Sequence, residues 1–268
     1  MTSHVLPLLL INPSQPLKGK SMPAPHIVFD IETVLDHEAA ARAHKIDPED
    51  RDAVKSALCD EFPKPAFHKI VCIAAMTLTY DIPGKHWEVL EAASLHTGDR
   101  TEKELIAEFA GYIDKMHPVF VGFNSLAFDL PVVRARAMIH RIKGSYMAWR
   151  GFKPFSGHHI DLCETLSARG RGRMTLDEAA RAFGVGAKTE GMDGSRVDEM
   201  AQRGEYEAIA DYCMDDVTAT ASLFLLHQHF SGILDEQALA VAHQSVMAAR
   251  NAVRSKRPEN FMQYFSYA

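Results

Sequence analysis

The amino-acid sequence predicts an α/β fold in which one central, mixed β-sheet is flanked by helices. Apolar runs rich in β-branched residues, at 27–32, 69–80, 86–94 and 119–123, have the length and composition of buried strands. Segments with apolar residues at helical spacing lie between and after these runs. Three strands in succession, followed by alternating helices and strands, are typical of a layered α/β domain.

The first half of the chain is predicted to contain four of the strands. The second and third strands can pair as a meander. The segment between the first two strands, from Asp36 to Pro65, is highly charged and is expected to be partly helical. A capping box, Thr101-x-x-Glu104, starts a helix, and Pro118 ends that helix and opens the fourth strand.

The second half of the chain is predicted to be helical around one further strand. A helix is expected from Leu126 to about Ile142, and a short strand at 159–162 follows a loop rich in Gly and Pro. A second capping box, Thr175-x-x-Glu178, starts a helix that ends at Gly184. A final long helix is predicted over 205–228.

Length and charge limit the kind of protein this is. The chain has 268 residues, of which 47% are hydrophobic and 24% are charged, which is typical of a globular protein. Its net charge of −6 argues against a diffuse basic surface that holds nucleic acid by charge alone. Any contact with nucleic acid is therefore expected to be local and assisted by metal.

The termini and the cysteines indicate compartment and domain organisation. The 4 cysteines lie far apart without a C-x-x-C pair, so reduced thiols and a cytoplasmic location are expected. The apolar run 5–11 is too short to cross a bilayer, and no membrane association is predicted. Residues 1–25 are expected to form a flexible arm, 26–230 one domain, and 231–268 a helical extension and tail.

Two carboxylates stand one residue apart in the first predicted strand, His26-Ile27-Val28-Phe29-Asp30-Ile31-Glu32-Thr33. Alternate side chains of a strand share a face, so Asp30 and Glu32 point the same way. Adjacent carboxylates in an apolar setting repel each other unless a cation lies between them, which indicates a divalent metal site. The alternative is a solvated strand end.

Two more carboxylates follow at the ends of other predicted elements. Asp129 lies in the opening turns of the helix after the fourth strand. In the last long helix the four-residue spacing puts Tyr212 and Asp216 on one face. Asp129 can instead interact with the helix dipole, and Tyr212 can be a core aromatic residue. Asp211 and Asp215 compete with Asp216 for the role of fourth carboxylate.

The order of these motifs points to a known superfamily. Asp-x-Glu at Asp30, Asn-x-x-x-Phe-Asp at Asn124 and Tyr-x-x-x-Asp at Tyr212 together resemble the DEDD superfamily of 3′–5′ exonucleases, in its tyrosine (DEDDy) branch. The surrounding residues look like stand-alone relatives of the proofreading domain of family-B DNA polymerases. The resemblance covers roughly residues 26–228 and implies a ribonuclease-H-like fold, with 26–230 as the exonuclease domain.

The resemblance also implies a reaction. The expected enzyme hydrolyses single-stranded DNA from its 3′ end and releases nucleoside 5′-monophosphates with two Mg²⁺ or Mn²⁺ ions. Asp30 is expected to bridge both ions, with Glu32 and Asp216 completing one site and Asp129 supporting the other. Tyr212 is expected to hydrogen-bond the attacking water. The family's spacing favours Asp216 over its two neighbouring acids.

Further residues are candidates for holding the substrate. The substrate-binding residues implied by the motifs and the following basic stretch are Thr33, Asn124, Phe128 and Lys188. Asn124 and Phe128 can instead brace a turn and the core. A basic loop with Arg169, Arg171 and Arg173 is either a phosphate clamp or a solvated loop, and the basic and aromatic segment from Arg250 to Tyr267 either stacks on single strands or packs as a cap.

Three other polar residues are not expected to be metal ligands. His158, His159 and Asp161 look like metal ligands, but imidazole is a softer donor than a hard cation requires. Two alternatives to a DNA exonuclease also stay open: a 3′–5′ exoribonuclease acting on short RNA, and an inactive module that only binds nucleic acid. A polymerase or repair partner cannot be identified from the sequence.

Overall fold

The computed structural model describes residues 24–58, 62–145, 157–168, 170–185 and 196–255. Five strands form one sheet in the order β3-β2-β1-β4-β5. Their bounds are β1 His26–Leu35, β2 His68–Asp81, β3 His86–His96, β4 Val119–Gly122 and β5 His159–Asp161. β1 pairs antiparallel with β2 and parallel with β4, so the predicted mixed sheet and the meander of β1 to β3 are confirmed.

Nine helices of the described residues surround this sheet. They are α1 His37–His44, α2 Arg51–Ala57, α3 Glu102–Met116, α4 Asp129–Ile139, α5 Leu162–Leu166, α6 Leu176–Phe183, α7 Val197–Gln202, α8 Tyr206–Phe230 and α9 Glu236–Ser255. A short 3₁₀ turn, Pro65–Phe67, precedes β2. Both predicted capping boxes are present, at the starts of α3 and α6. Among these helices none is long and apolar enough to cross a membrane.

The two faces of the sheet carry separate cores, and β1 shows how the chain is divided between them. Ile27, Phe29 and Ile31 pack against α3 and α4 on one face. Val28 packs on the opposite face, against α8 and α9. Because side chains alternate along a strand, Asp30 and Glu32 project on the same face as Val28. The alternation in the sequence therefore directs both carboxylates toward α8.

The helix that carries Asp129 begins later than the sequence predicted. The expected start at Leu126 is wrong, because residues before Asp129 form successive turns rather than helix. Asn124 has a positive φ of 62°, and the backbone N–H groups of Asn124 and Leu126 donate to the carboxylate of Asp161 instead of to helical carbonyls. Asp129 is consequently the first residue of α4.

Two other boundaries differ from the expectation for local reasons. The predicted strand at 159–162 ends at Asp161, because the Asp161 side chain accepts hydrogen bonds from the N–H groups of Cys163 and Glu164 and starts α5. The helix expected to reach Ile142 ends at Ile139, where Arg141 takes a φ of 56° and the N–H of Ile142 donates to Ala137.

A buried charge cluster ties the charged segment after β1 to the helices behind the sheet. The Arg136 guanidinium donates to Glu102 at 2.7 Å and to Asp36 at 2.6 Å. Asp36 is the N-cap of α1, Glu102 starts α3, and Arg136 lies two turns into α4. His140 also contacts Glu102 at 2.8 Å. The cluster therefore fixes the helix that begins with Asp129.

We expect Arg136→Ala to lower the free energy of unfolding by about 3–5 kcal/mol, because it leaves the buried carboxylate of Glu102 and the half-buried carboxylate of Asp36 without the arginine cation. Equilibrium unfolding in urea measures the change. The matched control is Arg42→Ala, which removes an exposed helical ion pair with Glu38 and should cost less than about 1 kcal/mol. Equal costs for the two variants would contradict a structural role for the cluster.

Candidate active site

Three elements bring four carboxylates together beside the middle of β1. Asp30 and Glu32 come from the strand, Asp129 from the first residue of α4, and Asp216 from the middle of α8. Asp30 is partly buried, and the other three are buried. All four residues are those expected from the sequence motifs. The structure places them close enough for their charges to interact.

The pKa values of the acids reflect this crowding. Burial raises the pKa of Asp30 well above its usual range, and the neighbouring charges of Asp129, Glu32 and Asp216 raise it further. Burial also raises the pKa of Asp129 to about 7, although a backbone hydrogen bond from Ile31 opposes the shift. Each carboxylate therefore opposes ionisation of the next, which is the electrostatic setting that a bound cation relieves.

Asp129 has an oxygen directed away from all hydrogen-bond donors among the described residues. Its Oδ1 is buried and accepts no hydrogen bond. A buried carboxylate oxygen without a donor is costly. The four carboxylates offer hard oxygen donors, which suit Mg²⁺ or Mn²⁺.

Tyr212 lies one helical turn before Asp216 and is hydrogen-bonded to it. Burial, followed by the charges of Asp216, Glu32 and Asp30, raises the pKa of the Tyr212 phenol far above its usual range. The phenol therefore stays protonated at all physiological pH values. Tyr212 presents a neutral hydroxyl beside the acids rather than a further negative charge.

The neighbours of Asp216 on α8 face elsewhere. Asp215 accepts hydrogen bonds from Arg250 at 2.7 Å and from Arg254 at 3.1 Å, both on α9. Asp211 lies 3.7 Å from Arg254. Asp215 and Asp211 thus join α8 to α9, whereas Asp216 faces β1 and Asp129. These contacts pair Arg250 and Arg254, which begin the segment predicted either to stack on single strands or to pack as a cap. Residues 256–268 lie outside the described part of the chain.

A cleft of about 420 Å³ opens beside the acids. Its lining includes Glu32 and two of the predicted substrate-binding residues, Thr33 and Phe128. The third, Asn124, instead accepts a hydrogen bond from Arg173 through its side-chain oxygen at 2.7 Å. The fourth, Lys188, lies outside the described residues. Arg169 also lies outside them, whereas Arg171 is exposed.

Two residues that shape this cleft, Phe62 and His68, had no functional role predicted from the sequence. Phe62, His68 and Phe128 form an aromatic cluster with ring centroids 5.0 to 5.6 Å apart. His68 donates to the Pro63 carbonyl through Nε2, so its neutral Nδ1 accepts from the Thr33 hydroxyl at 3.0 Å. Burial lowers the pKa of His68, which favours this neutral form. Only the folded pairing of β1 with β2 brings these rings beside Glu32.

The residues left outside the metal set have structural partners. Asp161 accepts hydrogen bonds from the backbone of the turn before α4, and His159 Nε2 contacts the Ser125 hydroxyl at 2.8 Å. These contacts hold the turn that carries Asn124 and leads to Asp129. Cys213, in contrast, lies among the acids, where its Sγ donates to Asp30 Oδ2 at 3.5 Å. The sequence had indicated only a buried thiol.

The fold and the acidic site define a DEDD-type exonuclease class with a ribonuclease-H-like α/β fold, as the sequence predicted. Residues 60–268 match a family described as a predicted 3′–5′ exonuclease related to the exonuclease domain of PolB, and the chain belongs to this family. The matched residues include Asp129, Tyr212 and Asp216. They begin after Asp30 and Glu32, so the match does not include the first motif.

Solved structures are similar to this chain. A family B DNA polymerase from the hyperthermophilic archaeon Pyrobaculum calidifontis is 21% identical, with a TM-score of 0.50 over 88% of this chain and 30% of the polymerase chain. E. coli exonuclease I in complex with an oligonucleotide is 15% identical, with a TM-score of 0.41 over 78% of this chain and 41% of that chain. The chain thus spans less than half the length of either protein. No curated protein matches it.

Proposed function

We propose that this protein is a metal-dependent 3′–5′ exonuclease that hydrolyses single-stranded DNA and releases nucleoside 5′-monophosphates. One observation carries the proposal: β1, α4 and α8 bring four carboxylates and a protonated phenol together in a chain of a PolB-related exonuclease family. The catalytic residues would be Asp30, Glu32, Asp129, Tyr212 and Asp216.

The four carboxylates are the proposed ligands of two Mg²⁺ or Mn²⁺ ions. Two observations support this assignment: Oδ1 of Asp129 accepts no hydrogen bond among the described residues, and the pKa of Asp30 is raised. A cation would bind the Asp129 oxygen and would lower the pKa of Asp30. Bound there, the cations would supply the positive charge that favours ionisation of the attacking water and stabilises the five-coordinate phosphate of the transition state.

Tyr212 is proposed to orient the attacking water. Its hydroxyl is neutral and is held beside Asp216 by a hydrogen bond, so it can exchange that bond for one to water. This role corresponds to the tyrosine branch of the superfamily. Because Tyr212 keeps its proton, it acts through geometry and does not take a proton from the water.

The cleft is proposed to receive the 3′-terminal nucleotides. The exposed ring of Phe62 and the half-buried ring of Phe128 offer stacking surfaces for unpaired bases. Arg51 and Lys55 of α2 also line the cleft, so they supply local positive charge in a chain whose net charge is −6. Thr33 adds a hydroxyl next to Glu32, whereas Asn124 and Lys188 remain proposed substrate contacts on the motif alone.

The direct test of the function is metal dependence. Purified protein should degrade an end-labelled single-stranded DNA in Mg²⁺ or Mn²⁺ and lose at least about 10³-fold in rate in excess EDTA, because the cations contribute several kcal/mol to the barrier. Restoration of the rate by added Mg²⁺ is the control. Full turnover in excess EDTA would contradict the proposal.

A single-stranded 3′ end should be cut faster than a blunt duplex end of the same sequence. The reason is that unpairing the terminal bases costs a few kcal/mol before they can enter the cleft. Initial rates on matched substrates measure the difference. An RNA strand of the same sequence is the second arm, and faster cleavage of RNA than of DNA would assign the protein to the exoribonuclease alternative.

Phe128→Ala should raise KM for single-stranded DNA by about 5-fold or more, since base stacking on one aromatic ring contributes about 1–3 kcal/mol. Steady-state rates over a range of oligonucleotide concentrations measure KM. Phe230→Ala is the matched control, because Phe230 is an exposed ring at the end of α8 that does not line the cleft. Equal KM values for both variants would argue against base stacking at Phe128.

The cellular setting is also a proposal. Cys72, Cys163 and Cys213 are free thiols, which supports the expected reducing, cytoplasmic location. A 3′–5′ exonuclease there would act in DNA repair or would edit polymerase products.

A further inference from the structure

A thiol lies within the acidic site. Cys213 is completely buried and follows Tyr212 on α8. Its Sγ is 3.5 Å from Asp30 Oδ2 and 3.4 Å from the Asp30 carbonyl oxygen. One ligand atom each from Asp30, Glu32 and Cys213 lies within 4.8 Å of the other two. The site is therefore a mixed sulfur and oxygen donor set, although hard cations use only its oxygens.

The spacing of these atoms matches tetrahedral zinc. With Zn–S of about 2.3 Å, Zn–O of about 2.0 Å and a tetrahedral angle, a thiolate sulfur and a carboxylate oxygen should lie about 3.5 Å apart. The observed separation of Cys213 Sγ and Asp30 Oδ2 is 3.5 Å. The separation of these two atoms is therefore compatible with both of them contacting one such ion.

A second and independent observation indicates a ligand at this place. Asp129 is 4% exposed, and its Oδ1 is buried without a hydrogen bond from the described residues. The backbone N–H of Ile31, between Asp30 and Glu32, donates to the Asp129 carboxylate, so Asp129 lies beside the same cluster. The cluster therefore has a carboxylate oxygen that only a cation or a water would satisfy.

We propose that Cys213, Asp30 and Glu32 form a binding site for thiophilic divalent cations, Zn²⁺ or Cd²⁺, which compete with Mg²⁺ for Asp30. On binding, the Cys213 thiol releases one proton to solvent and no redox change occurs. Hard cations leave the thiol protonated, because they prefer oxygen ligands. Inhibition of hydrolysis by Zn²⁺ follows; this inhibition and the competition with Mg²⁺ rest on the proposed nuclease function, whereas the thiol site itself does not.

The test is direct spectroscopy of the metal. Metal-free, full-length protein in a phosphine reductant is titrated with Cd²⁺, and the ultraviolet charge-transfer band of the cadmium thiolate is recorded. The wild type should give the band with saturation at one Cd²⁺ per chain. Cys213→Ser should lose it and bind Cd²⁺ at least about 10- to 100-fold more weakly, a loss that even partners outside the ligand set cause.

The matched control is Cys163→Ser, which removes another buried free thiol and should keep the band. Cys213→Ala serves if Cys213→Ser does not fold, as judged by circular dichroism. The proposal would be overturned by a band that persists in Cys213→Ser, by loss of the band in Cys163→Ser, or by absence of the band in the wild type.

A second measurement separates this proposal from the nuclease proposal. The ratio of the Mg²⁺-dependent rates with and without Zn²⁺ is taken within each variant, so that changes in basal rate cancel. The ratio should rise toward one in Cys213→Ser. Absence of any Mg²⁺-dependent rate would refute the nuclease function but would leave the cadmium band to decide the thiol site. A band with an unchanged ratio would refute the competition.

Discussion

Asp216→Asn should reduce turnover at least about 10³-fold and leave the stability of the protein nearly unchanged. Asp215→Asn should instead lower the stability and leave turnover nearly unchanged. The first loss follows because Asp216 is a proposed metal ligand, and cation stabilisation of the transition state contributes several kcal/mol. Asp216 also faces other acids, so removing its charge relieves repulsion with Asp30. Single-turnover rates and thermal unfolding, measured on the same preparations, test both halves.

Asp215→Asn is the matched variant because it makes the same chemical change at the adjacent residue. Asp215 is buried between Arg250 and Arg254, so the asparagine weakens two charge-assisted hydrogen bonds. We expect a loss of about 1.5–3 kcal/mol in the free energy of unfolding, with turnover within about threefold of wild type. If Asp215→Asn were as damaging to turnover as Asp216→Asn, the assignment of the fourth carboxylate would be wrong.

Tyr212→Phe completes this series. The variant keeps the ring and loses only the hydroxyl, so turnover should fall by about 10²-fold with little change in KM. An unchanged turnover would mean that the phenol serves only in packing. A large rise in KM would instead indicate that the hydroxyl holds the substrate strand.

Asp129→Asn should stabilise the metal-free protein above about pH 7, although it should nearly abolish turnover. Burial raises the pKa of Asp129 from 3.8 to about 7 in the folded state. The folded protein therefore binds an additional proton between these values, and the free energy of unfolding falls as pH rises through this window. The slope is at most about 1.4 kcal/mol per pH unit for one proton. Asparagine removes this pH dependence of the free energy of unfolding, because its side chain does not ionise.

Thermal unfolding in chelator at several pH values measures this effect. The unfolding temperatures of wild type and Asp129→Asn should be similar near pH 4 and should diverge in favour of the variant by pH 8. Added Mg²⁺ should restore the wild type at pH 8, because a cation that binds only the folded protein stabilises it. A variant less stable than wild type at pH 8 in chelator would show that the Asp129 charge is already compensated by the protein.

Local patterns carried most of what the sequence predicted correctly. The shared face of Asp30 and Glu32 depends only on alternation within β1, and the capping boxes of α3 and α6 depend on residues three positions apart. The meeting of Asp129 and Asp216 with β1 depends on the parallel pairing of β1 with β4 and on the packing of α8. Motif order indicated this meeting only through resemblance.

Long-range polar contacts account for what the sequence did not predict. The turn before α4 exists because Asp161, far along the chain, accepts its backbone N–H groups. Arg250 and Arg254 belong to a segment predicted either to bind single strands or to pack as a cap, and their pairing with Asp215 across a helix interface has no local sequence signal. Cys213 has the pattern of a core thiol but lies against Asp30. Such partners are separated in sequence and have no local periodicity.

The most direct measurement is the product pattern from a single-stranded DNA labelled at its 5′ end, under single-turnover conditions in Mg²⁺. Wild type should give a ladder of labelled strands shortened one nucleotide at a time, and Asp216→Asn should leave the strand intact over the same time. Immediate release of the labelled 5′ nucleotide, internal cuts without a ladder, or an equal ladder from Asp216→Asn would contradict a 3′–5′ exonuclease built on these four carboxylates.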